Sequence, residues 1–145
     1  MEVEGNDLWK ITPAGWDHIY SLRSTNRDSQ SAFIAMRFLP HLTGYCNNYI
    51  EPAILDAGYK PIRVDKEQHN DLIDDRIVAG IRKSKFIVAD LTENSYGVYY
   101  EAGFARGLGL PVLYTCSKEY FEDKDKGVHF NVNHYSFLQW ENDKG

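Results

Sequence analysis

The residues best suited to chemistry lie in one short stretch. Asp90-Leu91-Thr92-Glu93-Asn94-Ser95-Tyr96-Gly97 closes an apolar run and leads into Val98-Tyr99-Tyr100-Glu101-Ala102-Gly103. A Ser- and Gly-containing turn that opens a helix presents free backbone N–H groups, and the helix dipole adds positive potential there. The turn therefore reads as an anion site, and the same field is expected to keep Glu101 ionised. An ionised carboxylate at the open end of a parallel sheet is a suitable nucleophile for a sugar carbon. Asp90 reads first as a strand-end acid bonding loop amides, and second as a site residue.

The elements that must position this stretch alternate in type. Ala32 to Phe38 is an apolar run meeting Pro40 and reads as a buried strand. Tyr45 to Gly58 has helical spacing with a glycine stop. Tyr59 to Val64 is a second strand, and Asn70 to Lys83 repeats Ile73, Ile77 and Ile81 on one helical face. Lys85 to Leu91 is the clearest strand. Val98 to Leu108 is a helix, Pro111 to Cys116 a strand, and Phe137 to Trp140 a further strand. Such alternation predicts an α/β, Rossmann-like, flavodoxin-type three-layer sandwich with a parallel sheet of about five strands. Its ligand is then expected at the C-terminal ends of the first and third strands. Lys118 to Lys126 reads as a solvated charged loop.

The 145 residues carry Lys+Arg 16 against Asp+Glu 21, a net charge of −5. That balance argues against a broad electrostatic grip on nucleic acid. With 43% hydrophobic and 26% charged residues, the composition is that of a globular domain. No apolar stretch is long enough for a membrane helix, and the acidic start lacks a signal-peptide core. A cytoplasmic location is the expectation. Cys46 and Cys116 are expected as free thiols. No metal or cofactor is expected, since a zinc set from His129, His134 and Cys116 lacks ligand spacing.

Residues 1–30 differ in texture from 31–145. Thr12 can cap a helix with Pro13 at its first position, and Trp16, Ile19 and Tyr20 share one face. This leader resembles the closing turn and helix of a winged-helix domain, so it is expected either to end such a preceding domain or to lie on the α/β domain.

Ser95-x-Gly97-Val98-x-Tyr100-Glu101-x-Gly103, after Val88-Ala89-x-x-Thr92, resembles the signature of the nucleoside 2-deoxyribosyltransferase-like superfamily. The pattern is most similar to the 2'-deoxynucleoside 5'-phosphate N-hydrolases and CMP N-glycosidases. Ile73-Asp74-Asp75-Arg76-Ile77 and Phe33-Ile34-Ala35-Met36-Arg37 extend the resemblance. It implies an N-glycosidase that cleaves the base–sugar bond of a (deoxy)nucleoside 5'-monophosphate or nucleoside. Glu101 would be the nucleophile at C1', and Asp75, or its neighbour Asp74, would orient the sugar or manage the proton. Ser95 and Gly97 would hold the 5'-phosphate, with Met36 and Arg37 beside base and sugar. Asp90, Asn94 and Tyr100 flank the same turn as substrate-side candidates, and His129 and Asn131 would complete the pocket late in the chain. The chemistry is that of retaining glycosidases, which use two carboxyl groups about 5–5.5 Å apart. A homodimer or larger homo-oligomer is implied. The alternatives are a TIR-like NAD glycohydrolase and a non-catalytic nucleotide-sensing module of a larger defence or signalling protein.

Overall fold

The computed structural model describes residues 3–4, 8–23, 26–65, 73–123, 127–128 and 135–141. Val3–Glu4 (β1) and Leu8–Trp9 (β2) form a small antiparallel pair. Pro13–Arg23 (α1) follows, capped as expected: the Gly15 amide donates to Thr12 Oγ1 at 3.1 Å. Trp16 on its predicted apolar face is 50% exposed.

The main sheet takes its strands from Ser31–Ala35 (β3), Lys60–Ile62 (β4), Phe86–Asp90 (β5), Val112–Ser117 (β6) and Phe137–Trp140 (β7). All pair in parallel, in the order β4-β3-β5-β6-β7. This is the flavodoxin-type order, which reverses direction between β3 and β5. The chain is thus the expected α/β three-layer fold.

Alternation along the strands supplies two cores. Ala32, Ile34, Met36 and Val88 face a helical run over residues 40–56, which contributes Leu42, Cys46, Ile50 and Ile54. Phe33, Ala35, Ile87 and Ala89 face Ile73–Lys83 (α4) and Tyr96–Gly107 (α5), which contribute Ile81, Val98, Ala102 and Ala105. Among the described residues, neither core draws a member from before Ser31.

Several elements depart from the sequence reading. The first strand ends at Ala35, and Met36 to Leu39 form a loop. Pro40 then opens Pro40–Tyr45 (α2), because a proline at N1 forfeits only an amide that a helix start leaves unpaired. The helical run starts five residues earlier than its periodicity suggested and widens to a π-turn at Cys46–Ile50, where the Glu51 amide donates to Cys46 O. Pro52, inside Glu51–Asp56 (α3), has no amide to donate and its ring crowds the preceding turn, so the wider turn accommodates it. Lys118–Glu122 (α6) is a short helix rather than a loop, because Ser117 caps it by accepting from the Tyr120 amide at 3.3 Å.

The end of the leader is bound into the domain. Asn26 Nδ2 donates to Ser84 O at 2.9 Å and also to Arg82 O, and Ser29 Oγ donates to Lys83 O at 2.5 Å. These bonds satisfy carbonyls that the C-terminus of α4 leaves open. Earlier in α4, Gly80 lies so close to β3 that a Cβ there would sit 2.9 Å from the Phe33 ring. Cys46 and Cys116 are buried and not joined in a disulfide. Among the described residues, no helix is long and apolar enough to cross a membrane.

Asp90, 1% exposed, joins three strands. Its Oδ2 accepts from Thr115 Oγ1 at 2.6 Å and Trp140 Nε1 at 2.8 Å, and its Oδ1 from the Thr92 amide at 3.0 Å. All three partners donate, so both oxygens must accept. Asp90→Asn replaces one acceptor by a donor facing another donor, and is expected to cost about 2–4 kcal/mol. A fall in urea midpoint at unchanged slope checks this; a midpoint equal to wild type refutes it.

Candidate active site

The site begins with where α5 starts. Ser95 is its N-cap, with extended backbone and no side-chain capping bond, so its hydroxyl is not spent on the helix. Tyr96 is the first helical residue, which makes Glu101 the sixth. Glu101 therefore lies beyond the first turn, where the dipole acts most strongly. The expectation that the dipole keeps it ionised does not hold: burial pushes its carboxyl up to about 7. The cause is desolvation, which disfavours the charged form.

The wall around it explains this. Glu101 borders a cavity of about 230 Å³ lined by Phe33, Ile34, Met36, Phe38, Val64 and Ile77, together with Asp65. The cavity sits where the first and second parallel strands end, beside the point where strand order reverses. Phe38 is fixed from behind by Arg63, whose guanidinium lies 4.8 Å from the ring centroid. Arg63 is itself buried. Its Nε and Nη2 donate to Asp65 Oδ1 and Oδ2 at 2.9 and 2.5 Å, and its Nη1 to Asn47 Oδ1 at 2.5 Å. Glu51 lies 3.4 Å from the same nitrogen. Burial opposes the charge on Arg63, but the bonds to Asp65 and the two nearby carboxylates hold its pKa above the ordinary value.

The structure distributes the sequence-predicted residues unevenly. Met36 lines the Glu101 cavity. Gly97 precedes Glu101 by four residues, and so occupies the same face of α5 one turn nearer its start. A Cβ at Gly97 would lie 3.6 Å from Ser95 Oγ, so these two are neighbours on that face. Asn94 is exposed and adopts φ 53, next to Glu93 at φ 65. Tyr100 is 64% exposed and stacks along the helix on Phe104. Arg37 lies outside the cavity lining and reaches Glu93 instead. Asp75 is exposed on α4 and does not line the cavity, although Ile77 of the same helix does. The Asp74 side chain, His129 and Asn131 lie outside the described residues, as does His134. Asp90 is committed to the internal bonds described above; it supports the turn from below and is closed to a ligand.

Sequence reasoning missed Asp65 and Phe38 as cavity residues, and His41 and Glu93 as partners across the cleft. Asp65 follows a strand and a lone arginine, a pattern without periodic signal. A second, larger cavity of about 910 Å³ lies past the ends of β5, β6 and β7, lined by His41, Glu93, Lys118, Tyr120, Trp140 and Glu141 among others.

A buried acid with a raised pKa binds protons that the unfolded chain releases. The contribution of Glu101 to stability is therefore fully present below the ordinary carboxyl range and declines as pH rises toward about 7. Glu101→Gln removes that decline. It is expected to stabilise the fold by about 1–3 kcal/mol at pH 8 and by almost nothing at pH 4. Denaturant titrations at the two pH values check this, and equal effects at both refute the burial of the carboxyl.

Compared with protein-family models and with curated proteins, the chain matches none.

Proposed function

We propose that the protein is an N-glycosidase that cleaves the base–sugar bond of a (deoxy)nucleoside 5'-monophosphate, with Glu101 as nucleophile. The observation that carries this reading is the Glu101 carboxyl, buried in an apolar cavity at the C-terminal end of the sheet and poised near neutrality. A carboxyl in that range is accessible in both protonation states at neutral pH. Desolvation also leaves its ionised form poorly solvated and so more reactive toward an electron-poor centre.

In the reaction, a Glu101 carboxylate oxygen bonds to C1' as the C1'–N bond breaks. The bonding pair leaves with the base nitrogen, which takes up a proton from solvent. Water then attacks C1' of the glycosyl ester, releasing the sugar phosphate and restoring Glu101. The phosphate would lie at the start of α5, by Ser95 and the bare backbone of Gly97. Four residues of α-helix span about 6 Å, which fits the reach from a 5'-phosphate to the anomeric carbon. The base would take the apolar side of the cavity, against Phe38 and Met36. Asp65, its oxygens oriented by Arg63, would accept from a sugar hydroxyl. A small-molecule partner, a cytoplasmic setting and self-association belong to this reading.

The test is a base-release screen over nucleoside monophosphates, nucleosides and NAD. Glu101→Ala is expected to reduce release by at least 10³-fold, and unchanged release would sink the assignment. Since attack needs the ionised form, kcat/KM should rise with pH and level off above about 7. A profile that falls through the same range would make Glu101 an acid instead.

The two candidate second carboxylates separate in the same assay. Asp65→Asn is expected to lower kcat/KM by about tenfold or more, and Asp75→Asn to change it by less than about threefold. The reverse order would return the second role to α4.

A further inference from the structure

At the point where the strand order reverses, the segment after β3 faces the turn after β5, and one carboxylate spans the gap. Glu93 Oε1 lies 2.5 Å from His41 Nε2, and Glu93 Oε2 lies 3.9 Å from Arg37 Nη1. The same Arg37 nitrogen donates to the Glu93 carbonyl at 3.4 Å. The Arg37 and His41 side chains are 49% and 60% exposed, so both donors stand in an open cleft.

We propose that Arg37 and His41 form an anion site that Glu93 fills in the unliganded protein, and that a phosphate monoester displaces the Glu93 carboxylate from it. A guanidinium and an imidazole converging on carboxylate oxygens offer the same donors to phosphate oxygens. A phosphate carries more charge and a third oxygen, so it is the stronger ligand for the pair. The contacts of Glu93 are of the solvent-exposed kind, which hold weakly and exchange readily. Contrast Arg63, buried and doubly bonded to Asp65, which no ligand could free without unpairing a charge. Glu93 also stands two residues before Ser95, whose hydroxyl makes no capping bond. Once Glu93 swings away, an anion entering the cleft meets Arg37 and His41, beside the turn that carries Glu93 and leads into Ser95.

This inference rests on the nucleotide reading and adds to it. The 5'-phosphate then opens its own site, so a nucleoside lacking phosphate leaves Glu93 in place and is the poorer ligand.

The experiment is a calorimetric titration of inorganic phosphate at low ionic strength, where exposed charge interactions are least screened. Glu93→Gln removes the competing charge and is expected to bind phosphate about tenfold more tightly than wild type. Adding Arg37→Ala and His41→Ala to that variant should abolish the gain. If the triple variant does not fold, Arg37→Ala and His41→Ala are introduced singly into Glu93→Gln, and each should lose most of the gain. Equal phosphate affinity in wild type and Glu93→Gln overturns the proposal, as does a gain that survives loss of both donors. Phosphate binding is read without turnover. Tighter phosphate binding by Glu93→Gln alongside no base release from any substrate would leave the anion site standing and remove the glycosidase.

Discussion

Everything at the open end of this sheet depends on a carboxylate that never meets solvent. Asp90 ends β5, and its two oxygens gather Thr115 of β6, Trp140 of β7 and the amide of Thr92. Thr92 extends the tie by accepting from the Ser117 amide at 3.0 Å, while the Leu91 amide donates to Thr115 O at 3.0 Å. Trp140, held through its indole N–H, stacks on Tyr45 of the opposing helix with centroids 4.0 Å apart. Burial beside Asp90 pushes the Tyr45 hydroxyl up to about 12. Three strands, one helix and the turn 91–95 are thus fixed to a single acid. That turn sets where α5 begins, and α5 carries Glu101.

On the β3 side of β5, the carboxyl of Glu101 faces phenylalanine, isoleucine, methionine and valine side chains, and burial pushes its pKa up to about 7. At the strand-order reversal, Glu93 is half-buried and engaged with Arg37 and His41. Two glutamates eight residues apart therefore have different surroundings: one borders an apolar cavity, and the other meets an arginine and a histidine across a cleft. Separating acidic groups by environment is how a site assigns them distinct tasks.

Most of the architecture was legible because it follows from periodicity. Phe137–Trp140 and the strand around Phe86–Asp90 came directly from apolar runs, and Ile73, Ile77 and Ile81 located α4. What periodicity does not encode was misread. The start of the helical run at Pro40 depends on where an amide is dispensable, and its π-turn on Pro52. The beginning of α5 depends on the backbone of Ser95, and one misjudged boundary there altered the predicted protonation of Glu101. The Glu101 cavity was legible only through Glu101 and Met36. Phe38 and Asp65 follow β3 and β4, His41 lies at the start of α2 and Glu93 in the turn after β5, and only the strand order brings Phe38 to Asp65 and His41 to Glu93.

That boundary also decides how the site divides its labour. Were Glu101 in the first turn of α5, one patch of positive potential would serve both its carboxyl and an anionic ligand, and the two would repel within it. With Glu101 at the sixth position, the amides at the helix start are left to Ser95 and Gly97, and the carboxyl lies one turn deeper in an apolar wall. The same helix thus offers an anion-favouring end and, about 6 Å along, a carboxyl whose charge burial disfavours. A substrate that carries its own negative charge at one end and an electrophilic carbon at the other matches that order. One with the charge at the reacting carbon does not.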